Sequence, residues 1–141
     1  YGRPDMAIYT FFKNILNGKK IILRDKGKHF RDYTYIIDTV EYLKFFIKEK
    51  NLKKLKSNFE IFNIGNSKPI RTIDLLNLVS KLLNKKPQKV GYITSMGESF
   101  KTHANTNKLQ KFTRIKKSTN IRDGLKFFSS WFKKYYNLKN N

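Results

Sequence analysis

Amphipathic stripes at helical spacing, alternating with short extended apolar runs, constrain this chain more than any other feature. Ile8, Phe11, Phe12, Ile15 and Leu16 recur on one helical face, with Pro4 placed for the first turn and Gly18 for the stop. Leu75, Leu76, Val79, Leu82 and Leu83 repeat the pattern after Thr72, a candidate cap, and run up to Asn84. Leu125, Phe128, Trp131, Phe132 and Tyr135 line one face of a last helix, a stripe that reads as core rather than as a platform for stacked bases. Between these lie "KIILRDKGKHFRDYTYI", two extended segments about a turn at Lys26 and Gly27, and "QKVGYITS", a single strand. The second extended segment alternates Arg31, Tyr33 and Tyr35 with Asp32, Thr34 and Ile36. In "FEIFNIGN", Phe59 and Ile61 alternate with Phe62 and Ile64, as in a strand covered on both faces. Asp38 and Glu41 have the spacing of a capping box for a helix carried by Val40, Leu43 and Ile47 toward Lys50, and "NTNKLQKF" predicts a further short helix.

Strands alternating with helices in this way predict an α/β fold. At 141 residues the chain suits one domain, residues 1–141, with the Lys-rich stretch 51–58 as a solvated linker inside it. The formal charge of +21 would attract polyanions, which keeps a basic nucleic-acid-binding module open as an alternative. Against it, 25 of the 31 basic residues are Lys and they are scattered, whereas specific base readout leans on Arg. Asn and Ile, at 14 each, share with Lys a bias of codon composition, so no specific nucleic-acid partner is expected. The absence of cysteine excludes disulfides and thiolate metal sites, and His29 and His103 lack metal-ligand spacing. No apolar run has the roughly 18 residues of a membrane helix, and the expectation is a cytoplasmic protein without a membrane partner.

The seven glycines, at 2, 18, 27, 65, 91, 97 and 124, form neither a dinucleotide fingerprint nor a phosphate-binding loop. Tyr9 with Lys13 and Tyr135 with Lys139 match the Tyr-x-x-x-Lys spacing by which an ammonium group lowers a phenol pKa. Eight tyrosines among 25 lysines in 141 residues make one or two such pairs a matter of chance. No catalytic residue is therefore assigned within the chain.

Four ordered stretches carry more weight: "YGRPDMA", "GKHFRDYTYIIDTVE", "FNIGNSKPIRTIDLL" and "IRDGLKFFSSWFKKYY". Together they resemble the C-terminal part of the extended short-chain dehydrogenase/reductase family, among its nucleotide-sugar epimerases and dehydratases and nearest to those acting on UDP-glucuronate. The resemblance implies a Rossmann-type enzyme whose N-terminal cofactor half is absent here: that half would bind NAD and carry the catalytic Tyr and Lys, and would be the natural partner of this substrate-binding lobe. It implies a UDP-sugar substrate, a hydride removed from C4 to NAD and returned to the opposite face, and a homodimeric parent. A lobe lacking the catalytic half would be inactive alone; a remnant of the family without function is the further alternative. By the same resemblance Arg31 contacts the nucleotide diphosphate, and Arg3 and Tyr33 lie on the substrate face. A planar, permanently charged guanidinium suits pyrophosphate oxygens, while pairing with Asp5 is the competing role for Arg3, and with Asp32 or a carboxylate across the sheet for Arg31. The chain departs from the family pattern at Ile37, in Met96-Gly97-Glu98 where Pro-Gly-Asp is common, and at Asn105 in a helix start that usually carries Asp.

Overall fold

A computed structural model describes residues 3, 5–55, 57 and 59–138. In chain order the elements are helix α1 (Ala7–Leu16), strand β1 (Ile21–Arg24), a 3-10 turn at Asp25–Gly27, strand β2 (Phe30–Arg31) and helices α2 (Ile36–Ile47) and α3 (Glu49–Leu52). Strand β3 (Ile70–Arg71), helix α4 (Thr72–Leu83), strand β4 (Val90–Ile93) and helices α5 (Asn107–Thr113) and α6 (Ile121–Tyr135) follow. The fold is α/β, as the periodicity predicts. β1 and β4 pair in parallel, with Ile21 opposite Val90 and Arg24 opposite Ile93. β2 pairs antiparallel with β3, Phe30 opposite Arg71 and Arg31 opposite Ile70.

The three predicted stripes build one core. Phe11, Phe12 and Ile15 of α1 meet Leu75, Leu76 and Val79 of α4, with Ile21 and Leu23 of β1 and Leu125 and Phe132 of α6 closing the cluster. Burying each such side chain stabilises by about 1.5–3 kcal/mol. Gly18 ends α1 with φ +63°, a conformation without penalty only for glycine, and Asn84 ends α4 in the left-handed region at φ +48°. A second cluster is aromatic: Phe46 and Phe62 lie 5.2 Å apart between ring centres, and Phe62 and Phe112 5.1 Å, joining α2, the segment after it and α5.

Several local expectations are corrected. α1 starts at Ala7, and Pro4 lies outside the described residues. β2 ends at Arg31 and α2 begins at Ile36, so the alternation through Tyr35 does not form a long strand. Asp38 does not cap α2: it is buried in the first turn, where Oδ2 accepts from Thr119 N at 2.6 Å and Oδ1 from Thr119 Oγ1 at 2.8 Å. Glu41 pairs with Lys44 instead. Thr72 is the first residue of α4 rather than its cap, and its hydroxyl donates to His29 O at 3.1 Å. Residues 59–66 form no strand, and only one of their two apolar faces is covered, for Phe59 and Ile61 are 75% and 64% exposed. The stretch 51–58 starts inside α3, where buried Asn51 donates to Phe45 O at 2.7 Å, and Lys53 and Lys54 are exposed. Asn105 serves the start of α5, its Oδ1 accepting from Asn107 N at 3.1 Å.

Candidate functional site

β2 is short, but both its edges are occupied. β3 lies on one side, and on the other the backbone of Phe30 accepts from Thr102 N at 3.2 Å and donates to Phe100 O at 2.8 Å. Arg31, the last residue of β2, therefore leaves the sheet where the segments around residues 70 and 100 converge. Its Nη1 donates to Phe30 O at 2.8 Å and to Ser99 O at 2.9 Å. Its Nη2 reaches Glu98 Oε2 at 3.4 Å, a long contact for a charged hydrogen bond. Two backbone carbonyls thus fix the guanidinium plane, while the second amino group is loosely held. Of the competing roles, the carboxylate across the sheet is the one realised; Asp32 faces elsewhere.

Asp32 is the hub of the site. Its Oδ2 accepts from Ser67 N at 3.0 Å and Ala104 N at 3.1 Å, its Oδ1 accepts from Lys68 N at 3.3 Å, and its own N–H donates to Thr102 Oγ1 at 3.2 Å. One carboxylate so ties two further stretches, at residues 67–68 and at residue 104, to its own through their backbone donors. Ser67 reinforces the join, donating from its hydroxyl to Ala104 O at 2.7 Å. Between the stretches opens a cleft of about 440 Å³ lined by Asp32, Thr34, residues 62–65 and residues 102–104. Gly65 is required there: a Cβ would stand 2.3 Å from Ala104 Cβ and 3.0 Å from Asp32 Oδ2. Gly65→Ala must push two backbone segments apart and is expected to destabilise by about 1–3 kcal/mol. A urea midpoint unchanged from the parent would contradict this.

The other residues named from the sequence make contacts of their own. Arg3 is exposed and forks onto Asp5, Nε donating to Oδ1 at 3.0 Å, so its competing role is the one observed. Tyr33 is part-buried and packs against the main core. Burial pushes its phenol above the ordinary value of 10, opposed by the Arg31 charge. The folded state favours the neutral phenol, so its contribution is complete below pH 10 and is lost as pH rises through the raised folded value. Burial raises Tyr42 as well, so absorbance titration at 295 nm should show one late-titrating tyrosine fewer in Tyr33→Phe than in the parent; identical late steps would contradict the burial argument. Tyr9 is no base, since its hydroxyl bonds that of Tyr136, and Lys13 Nζ sits 5.8 Å over its ring rather than at its oxygen. Lys139 lies outside the described residues.

The described residues offer no glycine-rich seat for NAD. Among the described residues no glycine-rich turn links a strand to a helix: Gly27 closes a 3-10 turn, Gly91 is inside β4, Gly124 is inside α6, Gly18 leads from α1 to β1, and Gly65 and Gly97 stand singly in loops. No group of three or more His, Cys, Asp or Glu residues there could hold a metal ion, and no helix among them is long and apolar enough to cross a membrane.

Comparison with known proteins places these observations. Residues 1–65 match the NAD dependent epimerase/dehydratase family. An uncharacterised protein of Methanocaldococcus jannaschii is 41% identical over 134 residues, covering 94% of this chain and 39% of that protein. UDP-glucuronate 4-epimerase 3 of Arabidopsis thaliana is 33% identical, covering 97% of this chain and 34% of that protein. Among solved structures, UDP-glucuronic acid 4-epimerase from Bacillus cereus, in complex with UDP-glucuronic acid and NAD, superposes with a TM-score of 0.80 at 26% identity over 96% of this chain and 43% of that one. A dTDP-glucose 4,6-dehydratase from Bacillus anthracis, in complex with NAD, shares the fold with a TM-score of 0.83 at 21% identity over 98% of this chain and 42% of that one. The chain spans less than half the length of these relatives. By sequence and fold it is related to the NAD-dependent epimerases and dehydratases of the extended short-chain dehydrogenase/reductase family.

Proposed function

We propose that this chain is the part of a UDP-sugar 4-epimerase that holds the nucleotide sugar, with UDP-glucuronate as substrate and Arg31 as the anchor of its diphosphate. The observation that carries the reading is the guanidinium of Arg31, aimed by the carbonyls of Phe30 and Ser99 and weakly engaged at Nη2. A diphosphate oxygen offers Nη2 a shorter, charge-assisted bond than Glu98 does. The Asp32 clamp keeps the surrounding stretches from moving when the anion arrives.

In this reading the chain contributes binding and orientation. Holding the diphosphate immobilises the part of the substrate that does not react, so that binding energy is used to present the sugar. In this reading NAD and the catalytic groups belong to a cofactor-binding half outside these residues, and the 141 residues alone give no turnover. The UDP-glucuronate assignment is supported by the relatives of that name at 33% and 26% identity. A homodimeric parent in the cytoplasm rests on the family likeness alone.

Calorimetric titration of the chain with UDP-glucuronate, UDP and UMP tests the reading. UDP-glucuronate and UDP should bind at moderate salt, and UMP, lacking the second phosphate, about tenfold or more weaker. Equal binding of UMP and UDP would overturn the diphosphate anchor.

A further inference from the structure

The carboxylate that meets Arg31 stands in the loop where the chain departs from the family pattern, at Met96-Gly97-Glu98. Glu98 is shared. Its Oε1 lies 3.0 Å from Arg24 Nε, while its Oε2 lies 3.4 Å from Arg31 Nη2 and 3.8 Å from His29 Nδ1. His29 in turn reaches Asp25 Oδ2 at 3.0 Å through Nε2, and Asp25 Oδ1 accepts from Ser95 N at 3.1 Å. Two arginines, one ending β1 and one ending β2, a largely buried histidine and two carboxylates so form one connected group.

The loop is pinned on both sides of Glu98. Ser95 is held to Asp25, and Ser99 O accepts from Arg31. Between them Met96 is 92% exposed, and the Cβ position of Gly97, at φ +73°, has no neighbour within 4 Å. The Glu98 side chain can therefore turn without disturbing the two carbonyls that aim Arg31.

We propose that Glu98 is an internal competitor for Arg31 that sets the affinity of the site for a diphosphate. With no ligand it bridges Arg24 and Arg31. An arriving phosphate takes Nη2, and Glu98 withdraws to Arg24, its shorter contact. The carboxylate occupies the anchor, so removing its charge frees Nη2 and strengthens binding. The inference rests on the reading of Arg31 as a diphosphate anchor, and the variants below separate the two.

The test is calorimetric titration with UDP of the parent, Glu98→Gln, Glu98→Asp, Arg31→Ala and the double variant Glu98→Gln/Arg31→Ala. Glu98→Gln should bind about three- to tenfold more tightly than the parent at low salt, with the gain shrinking as salt rises. Glu98→Asp, which keeps the charge but shortens the reach to Arg31, should show a smaller gain, and it decides by its sign should Glu98→Gln fail to fold. The gain should vanish in the double variant. Equal or weaker binding in Glu98→Gln while Arg31→Ala still loses affinity overturns the competition and leaves the anchor standing. A gain that persists in full without Arg31, or UDP binding that Arg31→Ala leaves unchanged, overturns both.

Discussion

Asp32→Ala is expected to lower the unfolding free energy by about 2–4 kcal/mol, measured by urea denaturation with Trp131 fluorescence as the probe. The backbone N–H groups of Ser67, Lys68 and Ala104 all end on this one carboxylate. Each donor left unpaired costs about 1–3 kcal/mol where buried, and water reaching the open cleft offsets part of that sum. Asp32→Asn should lose about half as much, because the amide keeps one accepting oxygen but turns an N–H toward the donors. The damage should be local to the join, so amide exchange should accelerate first at residues 65–68 and 102–104, while α1 and α4 stay protected. A loss under about 0.5 kcal/mol would mean that the three stretches are held by something else.

Arg31→Ala is expected to weaken UDP-glucuronate binding by about 10- to 100-fold, the worth of one charge-assisted anchor at roughly 1.5–3 kcal/mol. Its effect on stability should be small, since the side chain is partly exposed and its Glu98 contact is long. Arg31→Lys should recover only part of the binding. An ammonium group can meet a phosphate, but it cannot also lie in the plane set by the carbonyls of Phe30 and Ser99. Undiminished binding in Arg31→Ala would remove the residue from the site.

The two large effects differ in how far the sequence revealed them. The stripes of α1, α4 and α6 are legible because a helix repeats its buried face every 3.6 residues, and Gly18 and Asn84 mark their ends through backbone conformations that other residues avoid. Arg31 was legible only through the resemblance of the stretch around it. Asp32 was not, because its partners are main-chain N–H groups, which carry no residue-type signature. Asp38 was misread for a related reason. An Asp near a helix start has the same spacing whether it caps its own turn or reaches Thr119, 81 positions on. The alternation of Phe59, Ile61, Phe62 and Ile64 correctly showed an apolar segment, but a strand also needs a ladder, and none of the described residues pairs with it. Glu98 stood out as a departure from the family pattern, yet its role emerged only when folding brought Arg24, His29 and Arg31 around it.

The central claim is that this chain anchors a nucleotide diphosphate at Arg31, and a crystal structure of the chain grown with UDP-glucuronate tests it most directly. The account predicts diphosphate density within hydrogen-bonding distance of Arg31 Nη2, with Asp32 still holding Ser67 and Ala104. Diphosphate bound elsewhere, or Arg31 still closed on Glu98 beside a bound nucleotide, would contradict it.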